Sequence, residues 1–150
     1  MKKNFLLCLT LLSSVVTHSA SAQVNNPVSW SFTSKKINAN MYEVHMTATA
    51  GGSWKIFAQQ PGEGPVPTSI TLSKNPLATP MGKVMEVGRL QRSHDPNFKS
   101  EVKYYLNQVD FVQKVHVKGK TTIKGRVNWM VADEKEALPP SARDFSVPVG

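Results

Sequence analysis

The chain has 150 residues, a formal net charge of +8 and one cysteine, Cys8. That length suits a single domain with its own core, and a chain with no second cysteine must fold by packing rather than on intramolecular disulfide staples. The positive surplus favours acidic proteins, anionic glycans or lipid head groups; no nucleic-acid-binding motif accompanies it, and no nucleic-acid partner is expected.

Met1-Lys2-Lys3-Asn4 is basic, residues 5–16 are mostly apolar, and Ala20-Ser21-Ala22 fits a small-x-small cleavage site before Gln23. This predicts a secretory signal peptide over residues 1–22, too short and wrongly flanked for a stable membrane span. Cys8 lies inside the apolar run, preceded by Leu6 and Leu7 rather than small residues, which argues against a lipid anchor. The expected mature chain, residues 23–150, loses Lys2 and Lys3 and no acid, so its formal charge falls to +6. It carries no cysteine and no further transmembrane segment, and its expected location is periplasmic or secreted.

The mature region reads as short strands separated by turn signals, without a long helical pattern. Val28, Trp30 and Phe32 share one face of the first strand. After Asn38-Ala39-Asn40, Tyr42, Val44, Met46 and Ala48 alternate with Glu43, His45, Thr47 and Thr49. Gly51-Gly52 breaks the run before a third strand over residues 53–58. Residues 60–67 are a proline- and glycine-rich loop. Strand character resumes over residues 68–72 and 83–87, residues 88–100 read as a polar loop carrying Phe98, and residues 101–106 and 109–117 form a strand pair.

In the second member of that pair Val109, Phe111, Val115 and Val117 point inward, with Gln113 as a polar interruption. Ile123, Val127 and Trp129 then point inward, and residues 143–147 give a final strand. The whole predicts one all-β domain, an antiparallel β-sandwich. Lys114, His116, Lys118, Lys120, Lys124 and Arg126 form the clearest outward basic row. It suits an anionic surface, and equally a strand pair protected from aggregation.

Enzyme templates are missing: there is no Gly-x-Ser-x-Gly elbow, P-loop or His-Glu-x-x-His. His45, His94 and His116 lack metal-ligand spacing, and the pattern puts His45 and His116 on outward faces. Asp133, Glu134 and Glu136 offer carboxylates with no histidine or cysteine beside them in sequence. No cofactor or metal is expected.

The most informative stretch runs from Arg126 to Pro140. Val127, Trp129 and Val131 alternate with Asn128 and Met130, an acidic loop follows, and Leu138-Pro139-Pro140 closes it. This resembles the active-site hairpin of the amino-terminal periplasmic domain of the disulfide-interchange protein DsbD, in which the loop reads Met-Val-Cys-Asp-Asp-Glu-Lys-Cys-Leu-Pro-Pro. The resemblance extends through Pro27-Val28-Ser29-Trp30-Ser31-Phe32, Ser53-Trp54-Lys55-Ile56-Phe57, Gly64-Pro65-Val66-Pro67-Thr68 and His94-Asp95-Pro96-Asn97-Phe98.

The resemblance implies an immunoglobulin-like sandwich and a redox pair at positions that here hold Ala132 and Ala137. Without sulfur, no disulfide forms and no thiolate attacks one. It also implies a cap-loop aromatic over the pair, Phe98, which reads equally as an ordinary packed loop residue, and aromatics near the site at Trp54 and Phe57, which core packing would also explain. The expected binding residues are thus Phe98, Asp133, Glu134, Leu138, Pro139, Trp54 and Phe57, with no catalytic residue. The expected function is a non-catalytic module binding another extracytoplasmic protein. The alternatives are thiol–disulfide exchange in which the partner supplies the thiols, and a basic module on an anionic glycan or envelope surface.

Overall fold

Alternating β-branched and aromatic residues favour pleated strands that bury one face, and the computed structural model, which describes residues 26–150, is built of them. The expected signal peptide, with Cys8, lies outside the described residues. The strands are β1 (Val28–Lys36), β2 (Met41–Ala50), β3 (Lys55–Phe57), β4 (Ser69–Leu72), β5 (Ala78–Val87), β6 (Gln91–Asp95), β7 (Ser100–Tyr105), β8 (Gln108–Val117), β9 (Thr121–Trp129), β10 (Val131–Ala132) and β11 (Ser141–Val149).

All pairings are antiparallel. One layer has the order β1-β2-β8-β5; facing it are a sheet of order β11-β9-β4 and a smaller one of order β10-β3-β7-β6. The inward residues meet in one core that includes Val44, Met46, Phe111, Val115, Ile123, Val127 and Trp129. An aromatic seam joins the layers: Trp30 lies 5.3 Å from Trp129, and Phe32 stacks on Phe145 at 4.7 Å. Gly125 is required there, since a Cβ would stand 2.6 Å from the Phe145 ring and 2.7 Å from the Thr71 carbonyl. The fold is a β-sandwich, as the strand pattern and the immunoglobulin-like resemblance lead one to expect.

Several local expectations need correction. Residues 88–100 are not one loop, because Gln91–Asp95 forms β6 on the edge of the small sheet, paired with β7; nor do residues 101–106 and 109–117 pair with each other, since β7 belongs to the small sheet and β8 to the large one. The third strand is shorter than residues 53–58, and β5 starts earlier than Lys83, with a register shift between Met81 and Met85 around Gly82 at φ +71°. That irregularity accommodates Gln113, whose buried amide donates to the Met81 carbonyl at 3.1 Å and the Lys114 carbonyl at 2.9 Å.

His45 is half-buried rather than a surface group, its Nδ1 2.7 Å from Asp110 Oδ2. The basic row is divided as well. β8 and β9 belong to different layers, so Lys114 and His116 lie on one sheet and Lys120, Lys124 and Arg126 on or beside the other. Arg126 is further engaged by Asp144 at 2.7 Å.

Candidate functional site

The 126–131 stretch is not one strand. β9 ends at Trp129, Met130 pairs with no strand, and β10 joins β3 in the small sheet through Val131↔Ile56 and Ala132↔Lys55. The break carries the chain from one sheet to the next and puts Ala132 on a face of its own. There Ala132 packs, fully buried, with Phe57, Val102 and Tyr104; Phe98, Met130, Leu106 and Ala137 cover this cluster.

The hairpin after β10 is closed from within. Ala132 and Ala137 form an antiparallel bridge, flanked by Asp133 N–H donating to the Glu136 carbonyl and Leu138 N–H donating to the Val131 carbonyl, both at 2.9 Å. Asp133 ties the tip: its Oδ1 accepts the backbone N–H of Lys135 at 2.8 Å and of Glu136 at 2.9 Å. The Glu136 and Lys135 hydrogen bonds hold the Asp133 carboxyl below its usual range.

Phe98 sits over this cluster at the end of a tight loop. Asp95 Oδ1 accepts the Asn97 backbone N–H at 2.9 Å, and Lys99, in the left-handed region at φ +54°, donates its N–H to the Asp95 carbonyl at 2.8 Å. The Phe98 ring meets Phe57 edge-to-face at 5.6 Å, a favoured aromatic geometry. Its other side rests on Gly64, where a Cβ would come within 2.8 Å of Phe98 Cβ and Cδ1.

Cap and hairpin are joined by a buried cation that the sequence reading missed. Lys55 Nζ lies 2.9 Å from Asp95 Oδ2, at the base of the cap, and 3.0 Å from Glu134 Oε1, at the hairpin tip. The side chains of Lys55 and Asp95 are 4% and 0% exposed, whereas that of Glu134 is 68% exposed. The ammonium also stands 5.3 Å from the Tyr104 ring centroid. Burial alone would push Lys55 down, but hydrogen bonds to Asp95 and Glu134 and the attraction of both carboxylates hold it above its usual range. Asp95 is the mirror case: burial would raise it, and Lys55 together with the Asn97 donors holds it down. Asn97 adds a second tie, donating through Nδ2 to the Asp133 carbonyl at 2.8 Å.

Of the residues expected at the site, Phe57, Phe98, Asp133 and Glu134 are brought together with Ala132 and Ala137. Trp54 and Leu138 pack instead, half-buried, against the main core, and Pro139 is exposed on the hairpin. The first two leave the cluster because neighbours along a strand point to opposite faces. Among the described residues no group of three or more His, Cys, Asp or Glu side chains is placed to hold a metal ion. At the centre of the site stand two methyl groups, which offer no nucleophile and no transferable proton.

No family model and no curated protein sequence matches the chain. A solved structure does match its fold. It is the N-terminal periplasmic domain of ScsB from Proteus mirabilis, with a TM-score of 0.55 at 12% identity, covering 81% of this chain. The chain spans 44% of that neighbour's length. The likeness lies in the backbone, and it supports the sandwich architecture derived above. No helix among the described residues is long and apolar enough to cross a membrane.

Proposed function

We propose that this chain is an exported, non-catalytic docking domain of the DsbD amino-terminal type, which receives another extracytoplasmic protein on its cap and hairpin. The observation that carries the reading is the Ala132–Ala137 bridge beneath the Phe98 cap: the frame of a two-residue site without its reactive atoms. The resemblance of the loop to the DsbD hairpin and the backbone likeness to a periplasmic domain both support an extracytoplasmic setting. A redox role with partner thiols would leave the two methyls as spectators. The basic-module alternative has less behind it, since the lysine row is divided between layers.

Site-specific photo-crosslinking tests the docking face. A benzoylphenylalanine at Pro139 should give a discrete protein adduct in cells that make the chain, one at Lys124 should not, and Phe98→Ala should weaken the first. The purified chain from residue 23 should also match a protein-free blank in insulin reduction. Turnover above that blank, or equal adducts from both positions, overturns the reading.

A further inference from the structure

The small sheet has a second face, turned away from the cap. β7 presents Val102 and Tyr104 to the cap cluster, so Lys103 and Tyr105 point the other way. There, between the β5 edge of the large sheet and the outer strands of the small one, lies a cavity of about 580 Å³, within the range of roughly 300–1,000 Å³ common for ligand sites. Its cations are Lys83 on β5, Arg92 on β6 and Lys103 on β7.

Arg92 and Lys103 are direct cross-strand partners, and like charges placed opposite each other in a ladder are unfavourable. None of the three cations forms an ion pair among the described residues. Glu86, the one carboxylate of the lining, is already engaged: Oε2 accepts the Tyr105 hydroxyl at 2.6 Å and Oε1 accepts the Gln59 backbone N–H. Ala58, Val84 and the exposed Leu90 make the apolar part of the wall. β5 and β6 are each the last strand of their sheet; at the groove the Val84 carbonyl of β5 is already taken by Gln59 Nε2 at 3.2 Å, so the open backbone edge is that of β6.

We propose that this groove is a second docking site, which takes an extended acidic peptide segment of a protein partner. Its carboxylates would pair with Lys83, Arg92 and Lys103, its apolar side chains would lie on Val84 and Leu90, and a free strand edge would offer backbone hydrogen bonds. The combination of an open β6 edge, an apolar wall and unpaired cations fits a segment with alternating acidic and apolar side chains better than a compact anion. The site is separate from the cap face and does not depend on what docks there.

The test is an amide-resolved NMR titration of the chain from residue 23 with the acetylated, amidated peptide Glu-Leu-Glu-Leu-Glu. Controls are its Gln-Leu-Gln-Leu-Gln counterpart and glutarate. Saturable shifts should centre on Lys83, Arg92 and Lys103 and weaken about tenfold or more, roughly 1.4 kcal/mol, in Arg92→Gln/Lys103→Gln. Lys83→Gln should weaken binding in the same direction, and Lys124→Gln should leave it unchanged. All are exposed or half-buried side chains, and superimposable spectra of the free variants establish that the fold is kept. Absence of saturable binding, equal binding of the glutamine peptide, or equal loss in Lys124→Gln overturns the site. Glutarate binding as tightly as the peptide overturns the peptide assignment.

Discussion

Ala132 and Ala137 face each other as a narrow, non-hydrogen-bonded antiparallel pair. The hydrogen bonds fall on either side of them, from Leu138 N–H to the Val131 carbonyl and from Asp133 N–H to the Glu136 carbonyl. In such pairs the Cα atoms stand about 4.5 Å apart and the side chains approach more closely than in hydrogen-bonded pairs. Disulfides span Cα separations of roughly 4.4–6.8 Å. The backbone therefore has the spacing of a cystine with alanine at both ends.

Ala132→Cys with Ala137→Cys should accordingly form an intramolecular disulfide under mild oxidation. The expected signal is loss of two free thiols without dimer formation, and reduction should restore both. The unaltered chain from residue 23 has no thiol to titrate. Thiols that stay free, or pair only between molecules, would show that the hairpin does not hold the narrow pair in solution.

The Lys55–Asp95 pair should confer a pH dependence with two edges. Asp95 is depressed when folded, so its contribution is present above the ordinary carboxylate value of 3.8 and is lost as pH falls through the lowered folded value. Lys55 is raised when folded, so its contribution is present below 10.5 and is lost as pH rises through the raised folded value. Between those edges the pair is intact. Lys55→Met, which leaves Asp95 buried without its cation, should cost about 3–5 kcal/mol at neutral pH. Denaturant midpoints taken against pH check this: the gap between wild type and Asp95→Asn should narrow below pH 3.8. A gap constant down to strongly acidic pH would contradict the assignment.

The particular residues show what alternation reveals and what it hides. β1, β2, β8 and β9 each bury one face against the core, so Trp30, Val44, Phe111 and Val127 announce their orientation by period alone. β6 buries no hydrophobic side chain: Gln91, Arg92, Ser93 and His94 are half-buried or exposed, only Asp95 is buried, and the strand exists through its backbone ladder to β7, which leaves no hydrophobic trace. Lys55 escaped notice because lysine is rarely fully buried and its two acids come from distant parts of the chain. The basic row failed for a topological reason. Adjacent strands in sequence often pair, but here the turn after β8 crosses to the other layer.

Trp129 and Lys124 lie on the same strand with opposite exposure. Trp129 is 5% exposed and packs on Trp30, whereas Lys124 is exposed. Trp129→Ala should cost about 3–5 kcal/mol, and Lys124→Ala should stay within about 0.5 kcal/mol. Urea melts of the two variants separate the cases, and equal midpoints would mean that β9 faces the other way.

The cap itself depends on a glycine. Gly64 has φ +105°, a conformation that side chains rarely adopt, and a Cβ there would meet Phe98 Cβ and Cδ1 at 2.8 Å. Both effects act against Gly64→Ala: backbone strain of this kind costs about 1–3 kcal/mol, and the methyl must also displace the aromatic ring. Phe98→Ala alone removes the edge-to-face contact with Phe57, worth about 0.5–1.5 kcal/mol beyond the area lost. In combination the two should be less than additive, since removing the ring relieves the steric part of the glycine substitution and leaves the φ strain. Gly119→Ala is the control, with nothing within 4 Å of the added carbon and no positive φ. Thermal melts of the four chains in the cycle give the coupling, and loss of the nuclear Overhauser contact between the Phe98 and Phe57 rings in Gly64→Ala reports the displaced cap. Full additivity with that contact retained would mean that Phe98 does not rest on Gly64 in solution. The cap would then be held by Phe57, Lys55, Asn97 and Ser100 without help from Gly64.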